Sequence, residues 1–155
     1  MNYKVLFYCI LSVILLSCSS DDDDKDMDKP AIDMTETNAF PTNCAILYRG
    51  ESFLFRATFT DNIELGNYNI EVHNNFDHHS HSTENEECEL DSKKQPVKPW
   101  VYNKDYSIPA GQRNFTANDV IEIPSDIDTG DYHFMIRLTD KAGWQQIKSV
   151  GVKIK

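Results

Sequence analysis

The stretch "GDYHFMIRLTDKAGWQQIKSVGVKIK" (Gly130–Lys155) decides the fold. Tyr132, Phe134, Ile136 and Leu138 recur every second residue and alternate with His133, Met135, Arg137 and Thr139. Successive side chains of a strand point to opposite sides of its sheet, so this spacing predicts a strand with one face in a core. "TDKAG" (Thr139–Gly143) supplies the turn residues that close a hairpin into a second strand over Gln145–Ile154.

Upstream, "NCAILYRGESFLFRATFTDN" (Asn43–Asn62) reads as a strand ending near Tyr48, a turn at Arg49 and Gly50, and a strand over Ser52–Thr60. In the latter, Phe53, Phe55, Ala57 and Phe59 share one face. "LGNYNIEVHNNF" (Leu65–Phe76) puts Tyr68, Ile70 and Val72 on one face and Asn69, Glu71 and His73 on the other. Residues Asn75–Asn103 are polar and contain Pro96 and Pro99, which predicts a loop with one edge strand near Val97–Tyr102. "NFTANDVIEIP" adds a strand near Asn118–Ile123, ended by Pro124. Short strands between turn signals, with no persuasive long helix, predict an all-β protein, an antiparallel β-sandwich of the immunoglobulin-like kind.

The 155 residues allow one ordinary domain with targeting material attached. "MNYKVLFYCILSVILLSC" places Lys4 before an apolar run, Val5–Leu16, that is shorter than the roughly 20 residues of a membrane-spanning helix. Its ending, "LLSC" (Leu15–Cys18), resembles the lipobox of bacterial lipoproteins; an ordinary secretory peptide is the alternative. The resemblance implies a signal peptide over residues 1–17, lipidation of Cys18 and anchoring by acyl chains in the outer membrane. Residues 18–30 then form an acidic tether, with Asp21, Asp22, Asp23, Asp24, Asp26 and Asp28 repelling one another, and residues 31–155 form the domain. The acidic run is similar to the signal behind the lipidated cysteine of surface-displayed Bacteroidetes lipoproteins, which implies the cell surface; a solvated spacer on the periplasmic face is the alternative.

Removing residues 1–17 takes away Lys4 alone, leaving 14 basic against 25 acidic residues, a formal charge of -11. A phosphate-backbone binder concentrates positive charge, so nucleic acid is not an expected partner. Cys44 and Cys88 remain after Cys9 and Cys18 are set aside. Outside the cytosol they are candidates for one disulfide, with free thiols or soft metal ligands as alternatives.

"GDYHFMIRLTD" turning through "KAG" resembles the penultimate strand of immunoglobulin-like modules. Together with the Ser52–Thr60 and Leu65–His73 strands and "VHNNFDHHSH", it is similar to the DUF4625 family of Bacteroidetes lipoprotein domains over roughly Ile32–Lys155. The resemblance implies an immunoglobulin-like fold on a lipid tether and supplies no reaction. In that strand order Gly66–His73 and Asp131–Thr139 are antiparallel neighbours, so His73 and His133 meet at one edge. The core positions beside them place both imidazoles on one exposed outer face.

"NNFDHHSH" leaves from that edge, so Asp77, His78, His79 and His81 can fold back over His73 and His133. Imidazoles ligate Zn²⁺ or Cu²⁺, and a carboxylate completes or orients such a site. The expected metal set is His73, His133 and two of His78, His79 and His81, with Asp77 as ligand or orienting group. The run Glu84–Asp91 is read as a solvated acidic loop. "HExxH" and "GxSxG" are absent, and Ser80 and Ser82 lack a stated oxyanion partner, so an enzyme is not expected. The expected function is non-catalytic transition-metal binding at the cell envelope. Its alternative is an adhesion module for an extracellular glycan or envelope protein, with Trp100, Tyr102, Tyr106 and Trp144 as a candidate contact surface.

Overall fold

A computed structural model describes residues 25–80 and 88–155. The leader, Cys18, Asp21–Asp24, His81 and Ser82–Glu87 lie outside the described residues. The alternating segments form the long strands: β3 (Ser52–Thr60), β4 (Leu65–Asn74), β7 (Gly130–Asp140) and β8 (Gln145–Ile154). Shorter or less apolar segments complete the order: β1 (Ala31–Asp33), β2 (Ala45–Leu47), β5 (Tyr102–Ser107) and β6 (Asn114–Glu122). They build two sheets, β1-β3-β6 and β2-β8-β7-β4-β5, which make an immunoglobulin-like β-sandwich.

The core lies between the sheets, where Phe55, Phe59, Ala117 and Ile121 meet Tyr68, Ile70, Phe134, Ile136 and Leu138. Phe55 sits with its ring 5.6 Å from Phe134 and 6.2 Å from Tyr68, so period-two positions of both sheets interlock. Burying a side chain of this size stabilises the fold by roughly 1.5–3 kcal/mol.

Four expectations change. The sandwich is not wholly antiparallel, because β2 pairs parallel with β8. After β1 the chain keeps one bridge to the first sheet, Phe40 to Arg56, then crosses to the second sheet and runs alongside β8. The edge strand begins at Tyr102 rather than Val97. The amides of Val97 and Lys98 donate to the Asp128 carboxylate at 2.7 and 2.8 Å, and that of Trp100 to the Tyr132 hydroxyl at 3.2 Å, so they are committed to loop anchoring. The end of the acidic run is docked rather than free: Pro30 is buried, and the Trp144 indole N–H donates to the Asp26 carbonyl at 2.8 Å. β6 also starts earlier, at Asn114, because its whole length pairs with β3.

β7 sets the long axis. Its start, the end of β8 and the β4–β5 loop share one pole, while the β3–β4 turn, the β7–β8 turn and the docked residue Asp26 share the other. Asp140 lies seven positions beyond His133, roughly 23 Å of strand. The β4–β5 loop is pinned to the pole at the start of β7 by the Cys44–Cys88 disulfide, by the Asp91 amide on Asp131 (2.7 Å), and by Lys94 on the Thr129 carbonyl.

Candidate functional site

His73 and His133 are direct cross-strand partners in the β4–β7 ladder. Val72 and Phe134 enter the core, which sends both imidazoles to the other face, with ring centroids 5.4 Å apart. Phe76 then buries its ring edge-on against Tyr132 (5.3 Å), and His78 adopts φ +62°, turning the chain back on itself. His79 consequently lies over the pair, nearly parallel to His73 (5.4 Å, 15°) and edge-on to His133 (4.8 Å, 62°).

The loop changes one expectation about exposure. His133 is only 2% exposed, because the returning loop covers it and its Nε2–H donates to the His79 carbonyl at 3.1 Å. His78 is not part of the group: its Nε2 lies 2.9 Å from the Asp91 carbonyl. Adjacent residues on this turn point apart. His81 lies outside the described residues.

Two carboxylates orient the outer rings. Asp77 Oδ1 is 2.6 Å from His79 Nδ1, and this hydrogen bond holds the Asp77 carboxyl below the usual carboxylate range. Glu71 Oε1 is 3.1 Å from His73 Nδ1. Both contacts call for an Nδ1–H, and a neutral imidazole carries one proton. The two Nε2 atoms face each other at 3.3 Å. A recess of about 450 Å³ opens beside them, lined by His73, Phe76, Asp77, His79, Lys94 and Gln95.

A second feature at this pole is a cleft of about 400 Å³ between the disulfide and the end of β8. Its lining includes Ile46 and Leu90, which are 45% and 42% exposed, together with Lys153 and Lys155. Lys153 Nζ bridges Asp91 (2.7 Å) and Asp131 (3.2 Å) across the floor. The hydrogen bond to Asp91 raises the Lys153 ammonium above its ordinary value and lowers Asp91 in turn. With both sulfurs in the disulfide, Cys88 is not a thiolate ligand.

The aromatic surface expected from "KPWVYNKDY" is largely internal. Trp100 is 3% exposed, Tyr106 stacks on buried Tyr68 (4.9 Å, 1°), and the Tyr102 and Tyr106 hydroxyls are 2.6 Å apart. Trp144 is used to hold Asp26.

At the opposite pole, Asp26, Asp61 and Asp140 bring a carboxylate oxygen each within 4.8 Å of one another, a cluster able to chelate a metal. Sequence reasoning missed this group. The readable signal was that Asp61 and Asp140 each stand at the end of a long strand, β3 and β7, that finishes at the same pole.

Comparison with known proteins supplies a family. No curated protein matches the chain. A solved structure, the GspB Siglec domain, is similar at 18% identity and a TM-score of 0.44, covering 84% of this chain. This chain spans 59% of that one, less than two thirds of its length. The model of a domain of unknown function, DUF4625, matches residues 16–155, a longer span than Ile32–Lys155 that takes in Cys18, both sheets and all the side chains described above, and the chain belongs to that family.

Proposed function

We propose that this protein is a non-catalytic recognition module, held at the outer membrane by lipid on Cys18 and facing the cell surface, whose distal pole binds an extracellular protein or glycan. The observation that carries the reading is the segregation of features along the sandwich. The docked tether enters at one pole, while the long disulfide-pinned loop and the cleft with exposed Ile46 and Leu90 lie at the other. Binding residues favour loops held by a rigid scaffold, and a concave site with apolar walls and a few fixed charges suits specific contact. The exposed apolar pair, beside charges of both signs, favours a protein partner over a neutral glycan.

The test is binding of the full-length lipoprotein to arrays of glycans and of envelope proteins, compared with an Ile46→Asp, Leu90→Asp double variant. Both positions are exposed, so unfolding temperature should hold while partner binding falls at least tenfold. Undiminished binding by the variant would remove the cleft from the recognition surface.

One observation favours a second reading, a transition metal at the histidines. Two nitrogens on a tetrahedral ion with bonds of about 2.05 Å stand about 3.3 Å apart, the spacing of His73 Nε2 and His79 Nε2. Asp77 and Glu71 on the far nitrogens match the carboxylate–histidine pairing that orients metal ligands. In this reading the ion is Zn²⁺ or Cu²⁺, His73 and His79 are ligands, and His81 is a candidate third; His133, bonded to the His79 carbonyl, supports the loop. Elemental analysis with competitive titration should give near-stoichiometric, submicromolar binding that a His73→Ala, His79→Ala variant loses. Asp77→Asn should weaken it by about 10–100-fold. Equal binding by all three proteins would sink the reading.

A further inference from the structure

We propose that Asp26, Asp61 and Asp140 form a Ca²⁺ site that locks the end of the acidic tether onto the membrane-proximal pole of the sandwich. The three residues come from three separate segments: Asp26 precedes β1, Asp61 follows β3, and Asp140 ends β7. Each carboxylate is oriented by the protein itself. Asp61 Oδ2 accepts from the amides of Ile63 (2.9 Å) and Glu64 (2.7 Å), and Asp140 Oδ1 accepts from the amide of Trp144 (2.8 Å). Asp26 Oδ1 accepts from the Asn62 side chain at 3.0 Å.

The other oxygens of the two strand-end aspartates carry the argument. Asp140 is 4% exposed, yet its Oδ2 has no hydrogen-bond partner among the described residues, and Asp61 Oδ1 is likewise buried and unpartnered. A buried carboxylate oxygen without a donor is costly unless a cation meets it. The lysine ion pairs among the described residues go elsewhere, to Asp126, Asp91 and Asp131.

The donor set selects the ion. All three ligand groups are carboxylates, which suit a hard cation rather than the imidazole-favouring metals of the distal pole. Oxygens up to 4.8 Å apart fit on one Ca²⁺, whose bonds of about 2.3–2.6 Å span about 5 Å across the ion. Mg²⁺, with bonds of about 2.0–2.1 Å, requires the cluster to contract. Asp26 belongs to the tether and the other two to the sandwich, so the ion would join the two, as the Trp144 bond to the Asp26 carbonyl already does weakly.

The experiment uses the full-length lipidated chain in detergent, stripped with chelator and titrated calorimetrically with Ca²⁺, Mg²⁺ or Zn²⁺. Wild type should bind one Ca²⁺ at this site, at least tenfold more tightly than Mg²⁺, with a rise of several degrees in unfolding temperature and protection of the Lys25–Asp26 bond from trypsin. Asp140→Asn should abolish these effects. Because that residue is buried, Asp26→Asn is the decisive companion: it lies on the tether, should not lower the calcium-free unfolding temperature, and should weaken Ca²⁺ at least tenfold. Binding that survives both substitutions would place the ion on other acidic residues and overturn the proposal. So would absent or millimolar-only binding, or equal affinity for Mg²⁺.

Discussion

At the scale of single residues, close backbone approach and paired charge govern what can be changed. Gly66 stands at the irregularity between Leu65 and Asn67 in the β4–β7 ladder, and a Cβ there would meet the Thr139 carbonyl at 2.7 Å and the Asp140 carbonyl at 2.8 Å. Those atoms are backbone and cannot swing aside. Gly66→Ala should therefore destabilise the fold by about 1–3 kcal/mol, read as a lower urea midpoint at unchanged slope, and should weaken Ca²⁺ by moving Asp140. The Asp91–Lys153 pair gives a second residue-scale test. Asp91 is depressed from 3.8, so its contribution is present above that value and is lost as pH falls through the lower folded value. Lys153 is raised from 10.5, so its contribution is present below that value and is lost as pH rises through the higher folded value. The difference in urea midpoint between wild type and Lys153→Met should thus be flat across neutral pH and narrow at both extremes. A difference independent of pH throughout would mean the pair contributes by packing alone.

At the scale of elements, the β4–β5 loop depends on one covalent link. Cys44–Cys88 closes 44 residues of chain, for which the loop-entropy relation gives about 4 kcal/mol. A Cys44→Ala, Cys88→Ala variant should lose up to that amount, and its loop should be cut by protease before the sandwich unfolds. Cleavage and unfolding at the same denaturant concentration would show that the loop's hydrogen bonds hold it without the disulfide. The long strands were legible because Phe55, Tyr68, Phe134 and their neighbours keep strict alternation, and the meeting of His73 with His133 followed from which side chains had to face the core. β1 and β2, three residues each, are too short for periodicity to register. β5 was misplaced because amides at Val97, Lys98 and Trp100 were taken by side chains distant in the chain. The burial of His133 depended on a loop returning over it, and the aspartate cluster joined residues of which Asp26 looked like one more charge in a solvated run.

At the scale of the molecule, the two cation proposals occupy opposite ends of a rigid pair of strands. His133 and Asp140 lie on the same strand, roughly 23 Å apart, and the core between them is closed by Phe134, Ile136 and Leu138. Sites farther apart than about 7–10 Å, with no shared partner, contribute additively to stability. Binding at one pole tightens the returning loop over β4 and β7; binding at the other tightens the tether against the β3–β4 and β7–β8 turns. Neither requires a side chain used by the other. The stabilisation produced by Ca²⁺ and Zn²⁺ together should therefore equal the sum of the two separate increments within about 0.5 kcal/mol, measured by chemical unfolding at fixed free-ion concentrations. Asp26→Asn should remove the calcium increment and leave the zinc increment, and His73→Ala with His79→Ala should do the reverse. Competition between the ions would place both in one site, whereas a surplus over the sum would show that the sandwich transmits strain between its poles.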